Sequence, residues 1–174
     1  MGQVTEVIDA ISQRACEAMF PGSFKRREAD DDARPDPGLI AVIGFSGDTM
    51  RGALGVTAPS PAIAALHPLA SARELAEDDL EDWLAELANQ LLGRIKGELL
   101  DHGVTLWTAA PVLLRGISLR IASRSYEGLR AYSFVGAAGR LVVWIDFKFP
   151  ADLTLERLPA DRQHHHNPGE LLLL

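Results

Sequence analysis

Asp82, Glu86 and Asn89 stand four and three residues apart in a stretch whose apolar positions repeat at helical spacing. At about 100° per residue, Asp82, Glu86, Asn89 and Gly93 fall on one stripe of such a helix. Leu84, Leu87, Ala88, Leu91, Ile95 and Leu99 form a second stripe, nearly opposite, which must face a core. Two carboxylates and a carboxamide therefore point away from the core, towards solvent or a partner. Carboxylates pair with cations, and a carboxamide both donates and accepts hydrogen bonds. No Ser, Cys or His joins the stripe, which excludes a hydrolase triad there. Asp82 and Glu86 have the i, i+4 spacing to share a metal, but no third ligand is apparent. An exposed Glu and Asn three residues apart also occur on many helices as plain solvated side chains, so the pair alone decides nothing.

The rest of the stripe is less ordinary. Asn89 is the sole Asn ahead of the C-terminal tail, and Asn is a mediocre helix former. Gly93 and Gly97 lie on or beside the same face, each costing about 1 kcal/mol relative to Ala in a helix interior. Glycines there flatten the surface and let another backbone or a ligand come close. Trp83, next to the motif, reads as core at the helix edge rather than as a partner contact.

The helix that carries these residues spans positions 74–101, with an acidic first turn suited to the helix dipole and Gly103 as C-cap. Val4, Val7, Ile8, Ile11, Ala15 and Met19 predict an amphipathic helix over 3–19, ended by Pro21-Gly22. Residues 25–38, with Asp30-Asp31-Asp32, Pro35 and Pro37, read as an exposed charged loop. Apolar runs over 39–45 and 52–57 flank Ser46-Gly47-Asp48-Thr49 and predict a β-hairpin. Gly44-x-Ser46 is no nucleophile elbow, because Asp48 occupies the position of the last Gly; Ser46 reads as a turn residue. Ser60-Pro61 predicts a short helix capped by Ser60, stopping near Pro68. Strands are expected over 106–114, 119–121, 129–135 and 141–149. In the last, Trp144, Asp146 and Lys148 alternate with Ile145, Phe147 and Phe149, giving one buried face.

A length of 174 residues with 47% hydrophobic residues suits one core, here residues 1–150, followed by a polar tail over 151–174. The net charge of −7 argues against nucleic acid, whose binding needs a basic footprint. Cys16, the only cysteine, can form no internal disulfide and sits on the apolar side of its helix; it reads as core in a reducing cytoplasm. No apolar run reaches membrane-span length, and neither a secretory signal nor a myristoylation motif is visible at the N-terminus. His164-His165-His166 reads as solvated tail rather than a metal site.

Together with its flanks, the motif resembles the family of CheX, CheC and FliY. The family pattern is Asp or Ser, three residues, Glu, two residues, Asn and, well downstream, Pro. Here it reads Asp82-Trp83-Leu84-Ala85-Glu86-Leu87-Ala88-Asn89, with Pro111 at the expected place. Gly93-Arg94 is similar to the family's small residue followed by a basic one, and the hairpin and short helix ahead of the motif agree in order. The resemblance covers residues 3–149. It implies an α/β (α+β) fold: a largely antiparallel sheet packed by the long active-site helix and the N-terminal helix. It also implies hydrolysis of the phospho-aspartate of a CheY-like receiver domain.

In that reading Asn89 orients the attacking water, Glu86 pairs with the receiver's Lys, and Asp82, Gly93 and Pro111 support the site or contact the partner. The chain itself binds no cofactor or metal; Mg²⁺ is expected on the receiver. Only one Glu-x-x-Asn is present, which favours the single-site CheX type over the two-site CheC type. The resemblance further implies a homodimer paired through sheet edges, for which the hairpin of residues 129–149 is the expected edge. Two rival readings stand beside it. One is a non-catalytic module of the same fold that binds a receiver or signalling complex. The other is a metal or small-ligand protein, which would need His67 or His102 close to Asp82 and Glu86.

Overall fold

The computed structural model describes residues 2–20, 25–28, 38–116 and 129–159. The expected strand over 119–121, the histidine run and the apolar end at 171–174 lie outside the described residues.

Helix α1 (Gly2–Met19) buries Val4, Ile8, Ile11 and Ala15, the stripe its sequence period predicts, together with Cys16. Strands β2 (Gly38–Ser46) and β3 (Arg51–Ala58) form the expected hairpin; its turn closes with Gly47 N–H donating to the Met50 carbonyl at 2.7 Å. Helix α2 (Ser60–Leu66) follows. Its cap is Pro59 rather than Ser60: Ser60 is already helical and makes no side-chain cap.

Helix α3 (Glu77–Leu100) is the longest element and buries Leu80, Leu84, Leu87, Ala88, Leu91, Leu92, Ile95 and Leu99. It begins three residues later than its composition suggests. Asp79 explains the shift: its carboxylate accepts hydrogen bonds from the Ala76 N–H at 2.8 Å and from the two terminal guanidinium nitrogens of Arg73 at 2.6 Å each. Ala76 offers no side-chain acceptor in return, so this N-terminal lock works from the helix side only. The C-cap is Asp101 rather than Gly103; Gly103, two residues further on at φ 74°, turns the chain so that Val104 N–H returns to the Leu99 carbonyl at 3.0 Å.

The sheet is antiparallel throughout its described pairings. Strand β1 (Lys25–Glu28) lies at one side, then β6 (Leu129–Gly136), β7 (Gly139–Lys148), β3 and β2. The far edge of β2 is shared by β4 (Trp107–Thr108) and β5 (Val112–Gly116). This order corrects three expectations. Residues 25–28 are not loop but an edge strand; Lys-Arg-Arg-Glu shows no apolar alternation, yet a ladder needs only backbone donors and acceptors. The strand expected over 106–114 is broken in two: Pro111 has no N–H to donate, and Ala109 N–H bonds the Gly44 carbonyl at 2.9 Å across the gap. The β6–β7 hairpin is no sheet edge, because β1 covers β6 and β3 covers β7. Among the described residues the edges are β1 on one side and β4 with β5 on the other.

Helices α1, α2 and α3 line one face, with α3 over β2 and β3, α2 beside β7 and α1 against α3. Leu39, Ala41, Ile43 and Phe45 of β2 and Ile145 and Phe147 of β7 join the helices in one core. On the opposite face Trp144 lies over Gly55, its cross-strand partner; a Cβ on Gly55 would sit 2.2 Å from the indole, so only Gly leaves room for it. Trp107, Val112 and Leu114 on the β4–β5 edge remain exposed. The segment after β7 does not leave the domain at once: Leu155 is buried, and Leu158 N–H donates to the Asp101 carbonyl at 2.7 Å.

Candidate functional site

The eight buried side chains of α3 fix its rotation about its own axis, because a turn of the helix would drag leucines into water at about 1.5–3 kcal/mol each. That rotation leaves Asp82, Glu86, Asn89 and Gly93 all exposed, along one outward ridge. Successive members lie one turn apart, about 4.5–6 Å along the axis.

Local contacts differ along the ridge. Glu86 Oε1 accepts a hydrogen bond from Gln90 Nε2 at 2.8 Å. No hydrogen bond is recorded to the side chain of Asp82 or Asn89 among the described residues. A Cβ built on Gly93 or Gly97 meets nothing within 4 Å, so no packing inside the described chain accounts for either glycine. Pro111 is half-buried and immediately precedes β5. That strand pairs β2 and touches α3.

The flanks hold α3 at both ends. Arg115 of β5 bridges Glu77 and Glu81 on successive turns, and these carboxylates raise the guanidinium's pKa above its ordinary value. The Arg73 bond, and after it the Ala76 N–H, hold the Asp79 carboxyl well below the usual carboxylate range. Arg14 of α1 bonds Glu98 near the C-terminal end at 2.5 Å. Tyr132 of β6 donates to Asp9 of α1 at 2.5 Å; burial first, and then that carboxylate, push its phenol pKa upward. Trp83 is half-buried against the core, as its place at the helix edge suggests, with the His67 ring edge-on at 5.4 Å.

His67 caps α2 and takes the Leu69 N–H on Nδ1 at 3.0 Å. His102 follows the far end of α3, about 20 Å from Asn89 by helical rise. No group of three or more His, Cys, Asp or Glu able to hold a metal occurs among the described residues, so the cluster that the metal-protein reading requires is missing there. A cleft opens at that far end, lined by Val7, Ala10, Arg14, Glu98, Asp101, His102 and Arg157. The motif itself is convex. A convex pair of polar side chains on a rigid helix suits entry into another molecule's pocket rather than enclosure of a small substrate.

Gln90 and Arg115 are the residues that sequence reasoning missed. Gln90 sits four positions from Glu86, a spacing that signals a possible side-chain bond. Arg115 is 34 positions from Glu81, and nothing local announces that pairing.

Sheet order and helix placement define a CheC- and CheX-like domain. A CheC-like superfamily protein from Shewanella sp. PV-4 matches with TM-score 0.66 and 22% identity over 81% of this chain and 97% of its own. The chemotaxis protein CheX from Vibrio vulnificus matches with TM-score 0.63 and 19% identity, over 81% and 93%. CheX in a CheX–CheY–BeF₃–Mg²⁺ complex from Borrelia burgdorferi matches with TM-score 0.62 and 14% identity, over 82% and 96%. No curated protein matches the sequence. The family model described as "Chemotaxis phosphatase CheX" matches residues 39–135, and the chain belongs to that family. No helix among the described residues is long and apolar enough to cross a membrane.

Proposed function

We propose that this chain is a phosphatase for the phospho-aspartate of a CheY-like receiver domain, with residues 1–150 and the segment through Leu158 that packs on them as the catalytic domain. The observation that carries the reading is the joint exposure of Glu86 and Asn89 on one ridge of α3, in a chain of the CheX family. The Borrelia CheX was crystallised with CheY, beryllium fluoride and Mg²⁺; a partner of that kind suits a convex site on this chain.

Phosphoryl hydrolysis is mainly positioning and electrostatics. The receiver supplies the phospho-aspartate, its Mg²⁺ and a lysine, so this chain needs no cofactor of its own. What it adds is an ordered nucleophile. Asn89 enters the receiver's pocket and holds a water in line with phosphorus through an amide that donates and accepts. Glu86 pairs with the receiver's lysine and sets the depth of entry. Water attacks phosphorus, the bond to the aspartate oxygen breaks, and inorganic phosphate and a free carboxylate result; no phosphoenzyme forms.

Asp82 extends the acidic ridge one turn back and meets the receiver's rim. Gly93 removes bulk one turn ahead, where the partner comes nearest. Pro111 ends the strand break that sets β5 beside the helix. The lone buried Cys16 suits a reducing cytoplasm.

Phosphate release from a Mg²⁺-loaded phosphorylated receiver, with and without the protein, tests the reading. Acceleration that Asn89→Ala removes supports it. Binding without acceleration, across several receivers, assigns the chain instead to a non-catalytic receiver-binding module.

A further inference from the structure

We infer that Gln90 is a positioning residue for Glu86, a role that rests on the phosphatase reading above. Several carboxylates of α3 are held by arginines: Glu77 and Glu81 by Arg115, Asp79 by Arg73 and Glu98 by Arg14. Glu86 differs. Its recorded partner among the described residues is a neutral amide, Gln90 Nε2 at 2.8 Å from Oε1, one turn along the same exposed face.

The chemistry of that choice matters. A carboxylate at the surface of a helix has three rotatable bonds and loses their freedom when it docks on a cation. A donor one turn away removes part of that freedom beforehand. Because the amide carries no charge, Glu86 keeps its full negative charge for the partner. Only Oε1 is engaged, so Oε2 stays available to an incoming ammonium group. An arginine or lysine at position 90 would orient Glu86 equally well but would compete with the receiver's cation for it. Gln90 thus holds the carboxylate without neutralising it.

Two substitutions separate this role from helix support. Ala is the best helix former, and Lys four residues after Glu makes a favourable helical ion pair, so a merely structural role predicts that both are tolerated. The positioning role predicts that both impair docking. In steady-state phosphate release, Gln90→Ala raises KM for the phosphorylated receiver by about three- to tenfold with kcat within about twofold. Gln90→Lys raises KM at least as far although its helix is no less stable. In a Glu86→Ala background, Gln90→Ala has no further effect on KM, which closes a double-mutant cycle on the pair. Unchanged KM in Gln90→Ala or Gln90→Lys, or additive effects in the cycle, overturns the inference while leaving the phosphatase reading in place. Failure of the wild-type chain to accelerate phosphate release overturns both.

Discussion

Glu86 and Asn89 act on different parts of the proposed reaction, so their losses separate in the kinetics. Glu86 makes its contact on docking, and Glu86→Ala is expected to raise KM for the phosphorylated receiver by about tenfold or more while sparing kcat. Equal falls in kcat and kcat/KM would instead place Glu86 in the transition state. Gly93 gives a second residue-scale prediction. Open space surrounds its missing Cβ, so Gly93→Leu is expected to fold with unchanged or higher stability by urea denaturation and yet to bind the receiver more weakly. These outward residues were legible in the sequence because the leucines opposite them leave only one orientation for the helix. The Gln90–Glu86 bond was not, since i, i+4 spacing allows such a bond without choosing the rotamers that make it.

At the scale of the element, α3 is held by its buried stripe and by its ends. Leu91 is fully buried, and Leu91→Ala is expected to cost about 2–5 kcal/mol in urea unfolding. A loss near zero would mean that the helix is packed less tightly than its burial indicates. The Asp79–Arg73 lock gives a pH signature. Asp79 has its pKa lowered on folding from an ordinary 3.8, so its contribution to stability is fully present above that value. It is lost as pH falls through 3.8 towards the folded pKa. The stability gap between wild type and Arg73→Ala is therefore expected to hold constant between neutral pH and about pH 5 and to narrow below about pH 4. A gap that widens in acid would contradict the lock. The body of α3 followed from periodicity, but its start did not: the acidic run from Glu74 onward matches a helix N-terminus at several positions. Which one is used depends on the carboxylate that captures Arg73. Likewise β1 was illegible, because Lys25–Glu28 carries no apolar alternation and its pairing with β6 is non-local.

For the whole molecule, the fold class was legible through the family resemblance of the motif and its flanks, whereas the strand order was not. Pairing β1 with β6 and β3 with β7 joins segments far apart in the chain, and local patterns carry no trace of such partners. Among the described residues, that order moved the open edges from the β6–β7 hairpin to β1 and the β4–β5 side. A homodimer, proposed from the family resemblance, therefore has those edges to use; light scattering at micromolar concentration is expected to give twice the chain mass, and a monomer would count against it. The account as a whole stands on Asn89 delivering water to another protein's phospho-aspartate. The most direct measurement follows the decay of a phosphorylated, Mg²⁺-loaded receiver alone, with the wild-type chain, and with Asn89→Ala. The expected result is faster decay with wild type and a loss of about 100-fold in that acceleration for Asn89→Ala, with receiver affinity retained. Equal acceleration by wild type and Asn89→Ala would contradict it.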